Sequence, residues 1–142
     1  MDGSQWIPYE PASFPAPPFP DYVSGHSTYS AAAARVLELW TGSDHFGKSV
    51  TLAAGSSKLE PGVTPAHPVT LRWETFTDAA DEAGMSRRYG GIHFRSADLT
   101  GRLLGRLVAY ESWQKAQTYF NGAASSETRL AETSTTAESR PR

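Results

Sequence analysis

The chain has 142 residues, 39% of them hydrophobic, no cysteine and a formal net charge of −2 at pH 7. This length suits one modest domain, and the small net charge gives no basis for a nucleic-acid or membrane-surface partner. Without cysteine, disulfide bonds, thiolate metal sites and cysteine nucleophiles are excluded. No apolar run is long enough to span a bilayer, and the N-terminal sequence MDGSQWIPYEPA lacks the features of a signal peptide. We therefore expect a soluble protein, and the compartment stays undetermined.

The first 23 residues are rich in proline and aromatic side chains. They hold six of the ten prolines and five aromatic residues. Proline fixes φ and removes a backbone donor, which predicts an extended rather than a helical segment. Because flexible linkers are poor in aromatic residues, we predict that residues 1–23 form an arm that packs against a body.

Residues 27–40, STYSAAAARVLELW, are typical of a helix. The alanine run has high helix propensity, Ser27 is a candidate N-cap, and Thr41-Gly42 supplies a stop signal. One face of this helix is apolar, and its members are Tyr29, Ala33, Val36, Leu37 and Trp40.

Residues 48–74 change to short β-like runs around a turn-rich middle, which predicts a small hairpin or irregular excursion. Residues 77–89 predict a second helix, with Thr77 as the candidate cap and Gly90-Gly91 as the break after it. Acidic side chains at its start and arginines at its end suit the helix dipole.

Residues 96–120 predict the longest helix, with Ser96 as a candidate cap. Gly101 and Gly105 lie four residues apart, and each glycine costs a helix roughly 1 kcal/mol. We therefore expect this side to pack tightly against another element. Another side carries an apolar stripe: Leu99, Leu103, Leu107 and Tyr110, with Leu104 and Val108 beside it.

The sequence thus predicts a mainly α domain over residues 24–122, with a small β-hairpin excursion. Residues 123–142 contain eight Ser/Thr and one leucine, which predicts a disordered tail. Three helices and a hairpin make a thin core, so an isolated chain would leave apolar faces exposed. We expect the chain to be part of a larger helical body.

Two short segments, VSGHS at 23–27 and SRRYGGIH at 86–93, together indicate an oxyanion site. The backbone N–H groups at a helix N-terminus are unpaired and attract anions, and Gly25 would let a ligand approach the main chain.

Side chains of the two segments add to this prediction. Ser24 offers a hydroxyl donor, and Arg87 a planar fork suited to oxyanion oxygens. Of two histidines, one would bond the central atom and the other would transfer a proton. Other nearby arginines are expected to be solvated, and these are Arg88, Arg102 and Arg106.

The stretches FPDYVSGHSTYSAAAA and ADEAGMSRRYGGIHFRSAD resemble the second and third signature motifs of the vanadium-dependent haloperoxidase and type-2 phosphatidic-acid phosphatase superfamily. The shared pattern is Ser-Gly-His, then Ser-Arg, five residues and His, which here ends at His93. The resemblance runs from about Trp6 to Tyr110 and is nearest to the soluble haloperoxidase-type branch. It implies an all-helical fold with the site between helices, of which this chain is the C-terminal part.

The resemblance also implies roles for individual residues. His93 would bind vanadium, as vanadate, or act as the nucleophile that takes up phosphate, and His26 would be its acid–base partner. The oxygens of the oxyanion would be bound by Ser24, Gly25 and Arg87. The implied cofactor is vanadate, or phosphate in the same site.

The chain departs from the family pattern at three places. The opening motif, a Lys, six residues and then Arg-Pro, is missing, since none of the 23 residues before Ser24 is Lys or Arg. Val23 stands where Pro is common. The ring-orienting Asp of the phosphatase branch is expected four residues after the last histidine, where this chain has Ala97, so Asp98 is only a possible substitute.

These observations leave three functions open. The first is a haloperoxidase-like enzyme that oxidises halide with hydrogen peroxide at a histidine-bound vanadate, present here as a partial chain and weakly active or inactive alone. The second is a soluble acid phosphatase with a phosphohistidine intermediate. The third is a non-catalytic subunit or pseudoenzyme that completes its core by self-association or with a partner chain that supplies further helices.

Overall fold

The computed structural model of the protein describes residues 2–10 and 16–122. The tail predicted over 123–142 and part of the arm lie outside the described residues. A short 3-10 turn, Gly3–Gln5, is followed by α1 (Gly25–Thr41), β1 (His45–Leu52), β2 (Val69–Thr75), α2 (Phe76–Tyr89) and α3 (Arg95–Phe120). The described chain is therefore mainly helical with one small hairpin, as the sequence predicts.

All three helices begin earlier than predicted. The Oγ of Ser24 caps α1 by accepting the Ser27 N–H at 3.3 Å, so the prediction of Ser27 as the cap is wrong. Helix α2 is capped by Thr75 in a reciprocal capping box with Asp78, not by Thr77. Ser96 is likewise not a cap, since it lies inside α3.

Small side chains form the interface between α1 and α2. The buried residues of α1 are Ser27, Ala31 and Ala34, and those of α2 are Ala80 and Gly84. Since no large side chain separates the backbones, these helices approach closely, and the buried apolar core consists of alanines.

The two glycines of α3 allow the same close approach to α1, as their spacing predicted. A Cβ at Gly101 would lie 2.8 Å from the Ser24 carbonyl oxygen. At Gly105 it would overlap the carbonyl oxygen of Thr28 and meet the Ala32 nitrogen at 3.0 Å. Both glycines are buried, so α3 packs on α1 through its backbone.

The large apolar residues of α1 and α3 are exposed instead. Tyr29 and Trp40 are 78% and 68% exposed, and Leu103 and Leu107 on α3 are 54% and 57% exposed. The sequence-based expectation of a thin core with uncovered apolar faces is confirmed in the part of the chain that the structure describes.

Strands β1 and β2 pair antiparallel, with Val50 opposite Leu71. At the base of the hairpin, the rings of Phe46 and Phe76 lie 5.1 Å apart. The side chain of Asp44 accepts the Thr77 N–H at 3.1 Å. The hairpin is thereby anchored to the start of α2.

The chain divides into two compact units, Met1–Ala109 and Tyr110–Arg142. All of the candidate site residues belong to the first unit. No helix in the described residues is long and apolar enough to cross a membrane.

Candidate oxyanion-binding site

The N-terminus of α1 forms one wall of the candidate site. The Ser24 N–H donates to the Ala97 carbonyl oxygen at 3.1 Å, which fixes the helix start against α3. A Cβ at Gly25 would meet nothing nearer than the Tyr29 ring at 3.9 Å. The main chain at this glycine is therefore open to an approaching ligand.

The end of α2 and the turn after it form the second wall. Gly91 has a φ of +72°, in the left-handed region that favours glycine. The N–H groups of Ile92 and His93 both donate to the Arg87 carbonyl oxygen, at 3.0 and 3.4 Å. This tight reversal brings the backbone of His93 within hydrogen-bonding distance of Arg87.

His93 is buried and held on two sides. Its Nδ1 lies 3.1 Å from Oδ1 of Asp21, and the Phe19 ring stacks on the imidazole at a centroid distance of 5.6 Å. The remaining ring nitrogen, Nε2, is buried and has no hydrogen-bond partner among the described residues. A buried polar atom without a partner is rare in folded proteins and calls for an explanation, such as a catalytic role, a bound ion or an ordered water.

Arg87 shows the same feature. Its side chain is only 14% exposed, and its Nε is buried without a hydrogen-bond partner in the described chain. Its Nη1 lies 4.0 Å from Oε1 of Glu10, which belongs to the N-terminal arm. The arm reaches this region because the Tyr9 N–H donates to the Gly90 carbonyl oxygen at 3.0 Å.

His26 lies near both groups, on the open side of the site. Its side chain is exposed. Partial loss of hydration, and then the positive charge of Arg87 and the neighbouring ring of His93, lower its pKa. The ring therefore favours the neutral form at pH 7, the form that accepts a proton.

Ser24 has a different environment from the one predicted for an oxyanion donor. It is fully buried, and its Oγ both caps α1 and lies 2.9 Å from the Ser27 hydroxyl. To contact an oxyanion, this hydroxyl would have to turn away from Ser27.

Asp98 does not contact His93 and belongs to a separate buried network. It accepts hydrogen bonds from Nε and Nη2 of Arg102, both at 2.8 Å, and from the Ser27 hydroxyl at 2.8 Å. Because both carboxylate oxygens are taken up by these donors, the structure gives Asp98 a structural place, and the possible ring-orienting role is wrong for this residue.

The arginines near this network also differ from the prediction. Arg102 is 8% exposed and reaches Asp81 Oδ2 at 2.7 Å, and Arg88 lies 3.6 Å from Asp98 Oδ2. Neither is a free solvated side chain, whereas Arg106 is exposed as predicted.

A cavity of about 430 Å³ opens beside His93. Its lining combines aromatic and apolar side chains with one cation: Trp6, Arg88, Gly91, Ile92, His93 and Phe94. Within residues 2–10 and 16–122, no group of three or more His, Asp or Glu side chains is arranged to hold a metal ion.

The structure thus brings Gly25, His26, Arg87 and His93 to one region, and leaves Asp98 in another. Sequence reasoning missed Asp21 and Phe19, which contact His93. The only sequence signal for them is their position directly before the Ser-Gly-His segment. The buried nitrogens without partners, the open helix N-terminus and the cationic surroundings fit a small oxyanion.

The family model of the VCPO second helical-bundle domain matches residues 1–122. The fold is also similar to the crystal structure of a holo-type bacterial vanadium-dependent chloroperoxidase, at 28% identity and a TM-score of 0.68, over 79% of this chain and 24% of that one. Its apo-type counterpart gives 26% identity and a TM-score of 0.75, over 84% and 25%.

A third similar structure is that of the first bacterial vanadium-dependent iodoperoxidase, at 36% identity and a TM-score of 0.52, over 75% of this chain and 22% of that one. This chain therefore spans about a quarter of the length of each of these proteins. No curated protein matches the sequence.

Proposed function

Since the chain belongs to the family of the VCPO second helical-bundle domain, we propose that it carries the histidine half of a haloperoxidase site. In this function His93 would hold vanadate, the group that would support the oxidation of halide by hydrogen peroxide. The single observation that carries the proposal is the pair of buried nitrogens without partners, Nε2 of His93 and Nε of Arg87. A bound oxyanion would satisfy both.

His93 would be the one protein ligand of vanadium, through Nε2. Arg87 would bind an oxygen by charge-assisted hydrogen bonds, and the N–H of Gly25 at the α1 N-terminus would bind another. The Ser24 hydroxyl would join them after rotation. When bound, vanadate supplies a Lewis acid that activates peroxide.

His26 would move the proton. Its lowered pKa keeps the ring neutral near pH 7, so it can accept a proton from peroxide and later return it. Its exposure at the open side of the site gives it access to solvent, the final source and sink of that proton.

Exposed apolar faces support a second part of the proposal. Large apolar side chains on α1 and α3 stay uncovered in the described chain, and Arg87 would be a cation at the oxyanion. We propose that further helices, from another copy, another chain or a further part of this protein, cover these faces and add cations. Turnover by the 142-residue chain alone is expected to be low.

Vanadate binding tests the proposal directly. Titration followed by calorimetry and ultraviolet difference absorption should show one site in the wild type. His93→Ala should weaken vanadate binding at least about a hundredfold, because a coordination bond and its orientation are lost. His67→Ala, which changes an exposed histidine of the hairpin loop, is the control and should bind as the wild type does.

Equal affinity in wild type and His93→Ala would contradict this assignment. A different result, in which phosphoester is hydrolysed, vanadate only inhibits and a phosphohistidine can be trapped at position 93, would replace the haloperoxidase function with that of an acid phosphatase. Comparison of the wild type with His93→Ala therefore distinguishes a haloperoxidase from an acid phosphatase.

A further inference from the structure

Phe19 and Asp21 contact the ring of His93, although they lie more than 70 residues away in sequence. Phe19 covers one ring face, with an interplanar angle of 17°. Asp21 lies at the ring edge, with Oδ1 3.1 Å from Nδ1. The same Oδ1 accepts the Phe94 N–H at 3.0 Å, so the carboxylate is itself held in place by the main chain next to His93.

From this geometry we propose that Asp21 is the positioning residue of His93. A carboxylate can only accept a hydrogen bond, so the Nδ1 that faces it must carry the ring proton. The neutral imidazole then has its lone pair on Nε2, which is the buried atom without a partner. Asp21 thus selects the tautomer and the ring orientation in which Nε2 can bind an oxyanion.

No other carboxylate takes this place in the described chain. Asp98, the nearer residue in sequence, is occupied by Arg102 and Ser27. Glu10 lies at Arg87. The Nδ1 of His93 is paired with Asp21 alone among the described carboxylates.

This inference deepens the proposed function and rests on it for the identity of the ligand. Loss of a group that hydrogen-bonds to a metal-binding histidine and orients its ring typically lowers the affinity for the metal by ten- to a hundredfold. Asp21→Ala should therefore weaken vanadate binding by about that factor. Asp21→Asn should restore most of it, since both facing groups are N–H donors and the amide would turn its oxygen toward them.

The decisive measurement is the tautomer of His93 without any ligand. The ring ¹⁵N chemical shifts are recorded at pH 8 for the wild type and both Asp21 variants, and the His93 signals are assigned by their loss in His93→Ala. Asp44→Ala is the matched control, because Asp44 also accepts a backbone N–H with its side chain, that of Thr77, but belongs to another part of the fold.

The proposal expects protonated Nδ1 in the wild type, Asp21→Asn and Asp44→Ala, and a shift toward protonated Nε2 in Asp21→Ala. Protonated Nε2 in the wild type, or an unchanged tautomer in folded Asp21→Ala, would overturn it. If Asp21→Ala does not fold, the wild-type tautomer decides alone. The expected tautomers without any vanadate affinity would support the positioning role and count against the proposed function only.

Discussion

At the scale of single residues, the buried polar groups fall into two sets that differ in what satisfies them. Asp98 accepts hydrogen bonds from Ser27 and from Arg102, and these two donors also contact Ser24 and Asp81. His93 and Arg87 are each bonded or paired on one side and left with a buried nitrogen on the other. The first set therefore contributes to stability, and the second is available to a ligand.

The Asp98 network predicts loss of stability in acid. Burial acts to raise the pKa of Asp98, but hydrogen bonds from Arg102 and Ser27 and the positive charges of Arg102 and Arg88 outweigh it, so the pKa lies below its ordinary value. The carboxylate contribution is complete above the ordinary carboxyl pKa of about 4, and it is lost as pH falls through the lower, folded-state pKa. Thermal unfolding followed between pH 2 and pH 7 measures this loss of stability.

Asp98→Asn should weaken this pH dependence and lower the free energy of unfolding at pH 7 by up to about 3–5 kcal/mol, because it removes the buried carboxylate partner of Arg102 and leaves the partly exposed Asp81 to pair with this guanidinium. Glu74→Gln, which breaks an exposed pair with Arg72, should change stability by less than about 1 kcal/mol. An equal effect of both variants would contradict the structural place assigned to Asp98.

At the scale of elements, backbone contact rather than large side chains holds the helices together. Gly84 of α2 and the two glycines of α3 stand where a Cβ would meet α1 atoms at or below 3.0 Å. The same contacts fix the start of α1 against the start of α3, through the Ser24 N–H and Ala97. Helix packing thereby sets the position of the oxyanion site.

Gly105→Ala should lower the free energy of unfolding, although alanine is the better helix former by about 1 kcal/mol. The added methyl group would collide with the main chain of Thr28 and Ala32, which cannot move as a side chain can, and overpacking of this kind costs about 1–3 kcal/mol. Urea unfolding checks this.

Arg106→Ala, one position along α3 and exposed, is the control and should change stability by no more than about 0.5 kcal/mol. A Gly105→Ala protein that is more stable than the wild type would show that α3 does not need the close approach to α1.

At the scale of the whole molecule, what the fold leaves uncovered matters as much as what it buries. Among residues 2–10 and 16–122, the buried apolar side chains are alanines, and large apolar side chains on α1 and α3 are exposed. Contiguous exposed apolar surface on a protein marks an interaction site. This is the physical basis of the proposal that further helices complete the site.

If the helices that cover these apolar faces come from another copy, the purified protein should self-associate. The wild type should show concentration-dependent mass by sedimentation velocity in the micromolar range. The double variant Leu103→Glu/Leu107→Glu should shift it to monomer without loss of helix, because both side chains are already more than half exposed. Ser49→Glu, on the exposed hairpin, is the control for added charge.

A monomeric wild type at all concentrations would rule out another copy as the partner that covers these faces. A double variant that associates as the wild type does would show that the α3 face is not the contact.

The sequence by itself determined the helices, the hairpin and the two motifs, since these depend on local propensity, periodicity and spacing that are readable along the chain. It also predicted the glycine groove of α3 and the uncovered apolar faces. Only the tertiary structure decided which group meets His93 and which residue of α1 meets Asp98. Asp21 reaches the ring of His93, and Ser27 reaches Asp98, because the start of α1 packs against the start of α3. The pair of Asp98 with Arg102 is local, four residues apart on one helix. Pairings between residues some 70 positions apart have no local sequence signal.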